Sequence, residues 1–194
     1  MSRAVFLDRD GTLLDELGYL ARAEDLRLYP DAADAVRRLN DAGFLLVVVT
    51  NQSGIARGLL GEDELERVHA RLADELERGG AHLDLVLHCP HHPDHGEAPL
   101  RGRCACRKPE PGLFFEAARR LGIDLAESWA IGDSARDVEA ARRAGVRGRV
   151  LVATGKGRAT LETLDSKERA ELHLTRNLSE AADLILASAE LQGR

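Results

Sequence analysis

The sequence predicts an α/β protein built on a doubly wound parallel sheet. Short apolar, β-branched segments alternate along the chain with longer amphipathic segments, as strands alternate with helices in βαβ units. Polar clusters directly follow three predicted strands, namely Asp8-Arg9-Asp10, Thr50-Asn51 and Gly132-Asp133. Since ligands in this architecture bind beyond the carboxyl ends of the strands, the three clusters are expected to meet at one edge of the sheet.

Bulk composition limits the class of protein. A chain of 194 residues with 44% hydrophobic content can bury one sizeable core, which predicts a single domain over residues 1–194. The net charge of −6 disfavours nucleic acid and membrane surfaces as partners, because both are anionic. There is neither an 18-residue apolar run nor a basic leader followed by an apolar stretch, so we expect a cytoplasmic protein. Nothing suggests an obligate interface, and a monomer is expected.

The first half of the chain predicts two strands and two helices. The helix over 62–78 has the clearest pattern, because leucine and valine recur at helical spacing and Gly79-Gly80 follows. The predicted elements are a strand over 5–7, a loop over 13–29, a helix from Pro30-Asp31 to Gly43, a buried strand over 44–49 and the helix over 62–78.

The second half continues the alternation. Glycine follows each of two predicted helices, at positions 122 and 145. The predicted elements are a strand over 83–87, a loop over 88–112, a helix over 113–121, a strand over 129–131, a helix over 134–144, a strand over 150–153, a polar loop or exposed helix over 158–170, a short edge strand over 172–174 and a last helix starting at Ser179.

The strand-end clusters predict a magnesium-assisted phosphoryl-transfer site. Asp8 and Asp10 are two residues apart, so their side chains point to the same side of an extended segment. With Asp133 they supply the oxygen ligands that Mg²⁺ prefers. Thr50 and Asn51 suit phosphate oxygens, and the Arg107-Lys108 pair supplies two cations for anionic groups.

Three neighbouring residues are harder to assign. Asp137 lies one turn beyond Asp133 on the same helix face and is expected to support the site from behind. Lys156 is expected to be a surface lysine, because the glycine spacing of a phosphate-binding loop is absent before it. Arg9 has no predicted role beyond that of a nearby cation.

The cysteines predict a structural zinc site in the loop over about 88–108. All three cysteines, Cys89, Cys104 and Cys106, lie in this short stretch, which argues against a disulfide framework. The pattern Cys89-Pro90-His91 followed by Cys104-Ala105-Cys106 offers three thiolates and one imidazole for tetrahedral Zn²⁺. His88, His92 and His95 compete with His91 for the fourth position. Zinc there would order the loop that carries Arg107 and Lys108.

The ordered motifs resemble the haloacid dehalogenase superfamily of phosphatases. They are Asp8-Arg9-Asp10-Gly11-Thr12, Thr50-Asn51, Lys108, and Gly132-Asp133-Ser134 with Asp137. The resemblance implies a Rossmann-like fold in which Asp8 is the nucleophile and forms an aspartyl-phosphate. Asp10 would be the general acid and base. It further implies Mg²⁺ held by Asp8, the backbone carbonyl of Asp10 and Asp133, with Thr50 and Lys108 neutralising the phosphoryl oxygens.

Within that superfamily, the cysteine loop resembles the heptose-bisphosphate phosphatases. This resemblance implies zinc ligands Cys89, His91, Cys104 and Cys106, and a phosphorylated sugar as substrate, from which the 7-phosphate of a heptose 1,7-bisphosphate is removed. The related histidinol-phosphatases share the loop, so histidinol phosphate is the alternative substrate. The implied substrate-binding residues are Glu16, Leu17, Gly18, Tyr19, Thr50, Asn51, Gln52, Ser53, Arg107 and Lys108.

The spacing of the motifs excludes a large cap domain between the first two strand ends. Only 39 residues separate Asp10 from Thr50, and a loop, a helix and a strand already use them. The pocket is therefore expected to be closed by loops, chiefly residues 14–29 and 88–108.

Overall fold

A six-stranded parallel sheet forms the centre of the molecule, in the computed structural model that describes residues 1–16 and 18–192. The strand order is β3-β2-β1-β4-β5-β6, and every neighbouring pair is parallel. This confirms the predicted doubly wound parallel sheet. The strands are β1 (Ala4–Leu7), β2 (Leu45–Asn51), β3 (Leu85–Cys89), β4 (Trp129–Gly132), β5 (Gly148–Val152) and β6 (His173–Thr175).

Helices cover both faces of the sheet and bury two apolar clusters. Side chains alternate along β1, so Val5 and Leu7 pack in one cluster while Ala4 and Phe6 pack in the other. The first cluster lies beneath α1, α2 and α7, and the second beneath α3 and α4. The helices are α1 (Ala32–Asp41), α2 (Glu62–Arg78), α3 (Gly112–Leu121), α4 (Ala135–Ala144), α5 (Gly157–Thr163), α6 (Ser166–Ala170) and α7 (Leu178–Gln192).

The strand register brings the predicted polar clusters to one edge. Leu7 pairs with Val48 of β2 and Ile131 of β4, so the residues that follow all three strands emerge together. Asn51 pairs with Cys89 at the end of β3, which places the start of the cysteine loop at the same edge.

The structure differs from the predicted elements mainly at their boundaries. β2 continues through Thr50 and Asn51, because both residues pair with β3. Residues 158–170, predicted as loop or exposed helix, form most of two short helices, the second capped by the side chain of Asp165. Within the described residues, no helix is both long enough and apolar enough to span a bilayer.

Candidate active site

A cavity of ≈ 360 Å³ lies beyond the carboxyl ends of β1, β2 and β4. The predicted carboxylates Asp8, Asp10 and Asp133 line it. So do most of the predicted substrate-binding residues, which are Glu16, Gly18, Tyr19, Thr50, Asn51, Ser53, Arg107 and Lys108. Leu17 lies outside the described residues. The structure thus brings together residues from five separate segments, among them the three clusters predicted to meet at the strand ends.

Lys108 lies between two carboxylates at the base of this cavity. Its Nζ is 2.5 Å from Asp8 Oδ1, 2.7 Å from Asp137 Oδ1 and 2.7 Å from the carbonyl oxygen of Val49. Burial disfavours the charged ammonium, but the two carboxylates outweigh it and raise the pKa of Lys108 above its usual value. Lys108 is therefore a fixed positive charge beside the Asp8 carboxylate.

Asp137 does more than support the site from behind. Its Oδ1 pairs with Lys108, while its Oδ2 accepts hydrogen bonds from the backbone N–H (3.0 Å) and hydroxyl (2.5 Å) of Ser134. Burial alone would raise the pKa of Asp137, but Lys108 and Ser134 together hold it below its usual value. Asp137 thus joins the start of α4 to the lysine that faces Asp8.

Asp8 and Asp133 carry the features of a cation site. Burial raises the pKa of Asp8 to about 8, against the opposing charge of Lys108, and burial raises that of Asp133 to about 6. Oxygens of Asp8, Asp133 and Asp137 lie within 4.8 Å of one another. A divalent cation would favour the ionised carboxylates and balance the charge that Lys108 alone does not, so these residues fit Mg²⁺.

Two glycines keep the space around Asp133 open. A side chain at Gly11 would place its Cβ 2.0 Å from Asp133 Oδ2, and one at Gly155 would place it 2.2 Å from the same oxygen. Both residues have positive φ, 87° and 52°. The backbone N–H of Lys156 donates to Asp133 Oδ2 at 2.7 Å, and its Nζ pairs with Glu16 at 2.8 Å. Lys156 is exposed, as expected of a surface lysine, and it also lines the cavity.

The end of β2 is organised by the amide side chains of Asn51 and Gln52. Asn51 Nδ2 donates to the carbonyl oxygen of Lys108, and its Oδ1 accepts from the backbone N–H of Lys108, both at 3.0 Å. Gln52, predicted to bind substrate, does not line the cavity among the described residues. Its Nε2 donates to Thr50 Oγ1 at 2.8 Å and to Asp10 Oδ2 at 2.9 Å. Because Thr50 accepts from Gln52, its hydroxyl proton remains available to a phosphoryl oxygen.

The three cysteines and His91 form a compact cluster. Their Sγ atoms lie 3.2–3.5 Å apart, and His91 Nδ1 lies 3.6 Å from Cys89 Sγ and 3.4 Å from Cys106 Sγ. Tetrahedral Zn–S bonds of about 2.3 Å place the sulfurs about 3.8 Å apart, close to this spacing. The cluster therefore fits one zinc ion.

The competing histidines have other contacts. His88 Nε2 lies 3.3 Å from a Glu62 oxygen, and His92 Nδ1 accepts backbone N–H bonds from Asp94 and His95. Of the four candidate histidines in the loop, the structure therefore places His91 with the thiols. Arg107 donates to the carbonyl oxygen of His91 at 3.0 Å, which ties the cluster to the cavity.

Several cavity residues have no signal in the sequence. Arg57, His92 and Arg136 line the cavity together with Arg107 and Lys156. Arg57 follows the Asn51-Gln52-Ser53-Gly54 turn, and Arg57 Nη2 lies 3.0 Å from His92 Nε2. No residue spacing predicts this contact, because it joins two loops.

Comparison with known proteins places this site in a family. The model of the haloacid dehalogenase-like hydrolases matches residues 16–142, and a HAD-hydrolase-like model matches residues 105–181. The D-glycero-β-D-manno-heptose-1,7-bisphosphate 7-phosphatase of Haemophilus ducreyi is 41% identical over 173 residues, which are 89% of this chain and 92% of that protein. The Escherichia coli K12 protein of the same name is 43% identical over 153 residues, which are 79% of this chain and 80% of that protein.

Solved structures show the same architecture. The D,D-heptose 1,7-bisphosphate phosphatase of B. bronchiseptica, complexed with magnesium and phosphate, has a TM-score of 0.84 at 35% identity, covering 96% of this chain and 99% of that one. The Burkholderia thailandensis enzyme of the same name has a TM-score of 0.70 at 28% identity, covering 95% of this chain and 99% of that one.

Proposed function

Because the chain belongs to the haloacid dehalogenase-like hydrolases, we propose that it is a phosphatase that removes the 7-phosphate of D-glycero-β-D-manno-heptose 1,7-bisphosphate. The observation that carries the proposal is the arrangement at the base of the cavity. There the Asp8 carboxylate lies against the buried cation of Lys108, with Asp10 and Thr50 beside the same opening.

The proposed reaction has two steps that use the same carboxylates. Asp8 attacks the phosphorus atom, the bond between phosphorus and the sugar oxygen breaks, and protonated Asp10 delivers its proton to that oxygen. The Asp10 carboxylate then takes a proton from water as the water oxygen attacks phosphorus. The Asp8–phosphorus bond breaks, inorganic phosphate leaves, and Asp10 is protonated again. Lys108 and the Thr50 hydroxyl stabilise the charge on the phosphoryl oxygens in both steps.

Asp8 and Asp133, with the backbone carbonyl of Asp10, would hold Mg²⁺. Bound there, the ion supplies charge neutralisation for the transferring phosphoryl group. Because burial raises the pKa of Asp8 to about 8 and that of Asp133 to about 6, a bound cation would favour the ionised form of both carboxyls. The magnesium in the B. bronchiseptica enzyme supports this assignment.

We assign a structural zinc ion to Cys89, His91, Cys104 and Cys106. The four ligand positions are filled by protein, so no open position remains for substrate. Zinc would order the loop that carries Arg107, which donates to the carbonyl oxygen of His91.

The cations around the cavity favour a bisphosphate over histidinol phosphate. Arg57, Arg107, Arg136 and Lys156 all line the cavity in addition to Lys108. These side chains suit a second phosphate group, which Arg can bind bidentately. They would repel the ammonium group of histidinol phosphate. We assign Arg107 to the 1-phosphate, because a contact with His91 holds its side chain in place.

A substrate panel tests the proposal. It compares kcat/KM for both anomers of the heptose bisphosphate, for the heptose 7-phosphate and for histidinol phosphate. We expect the β-bisphosphate to be preferred, and a preference for histidinol phosphate would overturn the assignment. Arg107→Ala should raise KM for the bisphosphate by about tenfold or more and change that for the 7-phosphate little. Arg103→Ala, an exposed arginine of the same loop, is the matched control.

A further inference from the structure

Arg9 is a buried charge that takes no direct part in the proposed phosphoryl transfer. It lies between the two aspartates of the first strand end, and only 1% of it is exposed. A buried arginine is costly unless its five N–H donors find partners. Its partners are Asp10, Gln52 and His69, of which Asp10 lines the cavity.

Two nitrogens of the Arg9 guanidinium donate hydrogen bonds to the carboxylate of Asp10. Nε donates to Asp10 Oδ2 at 3.1 Å, and Nη2 donates to Asp10 Oδ1 at 3.0 Å and lies 2.9 Å from Oδ2. This fork geometry fixes the plane of a carboxylate and not merely its distance. An ammonium group at the same place would supply charge without fixing that plane.

Gln52 also contacts Asp10, and as a result the two oxygens of the Asp10 carboxylate accept different numbers of hydrogen bonds. Gln52 Oε1 accepts from Arg9 Nη2 at 2.9 Å, so its Nε2 must be the atom that donates to Asp10 Oδ2. Oδ2 then accepts two hydrogen bonds, which use both of its lone pairs. Oδ1 accepts one and keeps a lone pair open. Oδ1 is therefore the oxygen able to exchange a proton with a group in the cavity.

His69 of α2 supports Arg9 from the opposite side. Burial, reinforced by the charge of Arg9, lowers the pKa of His69 to about 3, so its ring is neutral. Its Nε2 lies 3.3 Å from Arg9 Nη1. Since a guanidinium only donates, Nε2 must be the acceptor. A neutral histidine accepts a hydrogen bond from the arginine and places no second positive charge beside it.

We propose that Arg9, held by Gln52 and His69, is a positioning residue that locks the Asp10 carboxylate with Oδ1 as its proton-transferring oxygen. The inference rests on the proposed function, because it assumes that Asp10 transfers protons. It assigns α2 a part in the reaction, although no residue of α2 lines the cavity among the described residues.

Arg9→Gln tests the proposal by separating kcat from KM. With the heptose bisphosphate we expect kcat to fall about a hundredfold while KM changes less than about threefold, because proton transfer acts in the transition state and not in substrate binding. Arg9→Lys should recover less than about a tenth of the lost rate, since Lys cannot form the fork. Arg3→Gln, a half-buried arginine that donates to the carbonyl oxygen of Ala42, is the matched control.

A second substrate supplies a readout that general destabilisation would not produce. The leaving group of p-nitrophenyl phosphate needs no proton, so its release does not require Asp10, whereas hydrolysis of the phospho-enzyme still does. Arg9→Gln should therefore release about one equivalent of p-nitrophenolate per chain in a burst, followed by a slow phase. Absence of a burst together with a wild-type kcat for the bisphosphate would overturn the proposal.

Two further variants keep the test decisive. If Arg9→Gln does not fold, His69→Leu removes the acceptor of Nη1, and a fall of about fivefold or more in kcat at unchanged KM supports the proposal, whereas a wild-type kcat overturns it. Asp10→Asn distinguishes failure of the proposed function from failure of the role proposed for Arg9. Full activity in Asp10→Asn contradicts the proposed function itself, whereas an inactive Asp10→Asn beside a fully active Arg9→Gln contradicts only the role of Arg9.

Discussion

Lys108 Nζ lies 2.5 Å from Asp8 Oδ1, although 100 residues separate the two in the chain. The contact joins the end of β1 to the end of the cysteine loop. It places a permanent cation beside the carboxylate that we assign as nucleophile. Asp137 contacts the same ammonium group, with its Oδ1 2.7 Å from Lys108 Nζ.

Removing the Lys108 charge should cost both stability and activity. Lys108→Met leaves the buried carboxylates of Asp8 and Asp137 without their partner, so we expect the free energy of unfolding to fall by about 3–5 kcal/mol. Without the positive charge of Lys108 to stabilise the phosphoryl oxygens, kcat should fall by about a hundredfold or more. Urea denaturation and steady-state kinetics measure the two effects.

The double variant Lys108→Met with Asp137→Asn separates these effects. It removes one unpaired carboxylate, so stability should recover in part while kcat stays low. Recovery of both quantities together would show that the lysine acts only through folding.

Asp8→Asn should abolish turnover and keep the fold. The amide has nearly the same shape as the carboxyl but cannot attack phosphorus, so we expect kcat to fall by about 10³ or more. Loss of a buried carboxylate should leave the melting temperature unchanged or higher. Asp25→Asn, the same change at an exposed position, controls for the substitution. Wild-type turnover in Asp8→Asn would exclude an aspartyl-phosphate.

The stabilising effect of Mg²⁺ should grow with pH. The pKa values of Asp8 and Asp133 are raised in the folded protein to about 8 and about 6 from an unfolded value of about 3.9. Without metal, their contribution to stability is fully present below about pH 4 and is lost as pH rises through about 6 and 8. Mg²⁺ binds the ionised forms, so it should raise the melting temperature more at pH 8 than at pH 5.5.

Thermal unfolding with and without Mg²⁺ at the two pH values checks this. In Asp133→Asn, most of the rise in melting temperature that Mg²⁺ causes at pH 8 should be lost. Equal increments at both pH values would contradict a site built on these two carboxyls.

Metal analysis should find about one zinc per chain in freshly purified, reduced protein. Cys106→Ser removes one of the four ligands, so it should lower the zinc content and the melting temperature and reduce kcat/KM through the Arg107 and Lys108 loop. His95→Ala, at an exposed position of the same loop, should keep the zinc content of the wild type. Full zinc content in Cys106→Ser would exclude this ligand set.

The periodic features of the fold could be predicted from the sequence. Helix α2 has the predicted bounds because its leucine and valine stripe repeats every turn and glycines enclose it. The strand ends could be located because apolar runs stop at carboxylates. The superfamily resemblance also rested on local motifs, whose order along the chain is visible without coordinates.

Arg9 and Lys156 could not be assigned from the sequence. The partners of Arg9 lie up to 60 residues away, and Lys156 meets Asp133 and Glu16 across 23 and 140 residues. Such contacts depend on strand register and on the path of each loop. Among the candidate histidines, likewise, only the folded loop distinguishes His91 from its neighbours.

The sequence by itself thus determined the alternation of strands and helices, the carboxylates at the strand ends and the clustering of the cysteines, because these follow from periodic burial and local spacing. Only the tertiary structure decided which charges meet. Asp8 faces Lys108, Arg9 contacts His69 of α2, and Gln52, predicted to bind substrate, is not among the described residues that line the cavity. The physical reason is that a buried charge finds its partner through three-dimensional packing, which chain order does not encode locally.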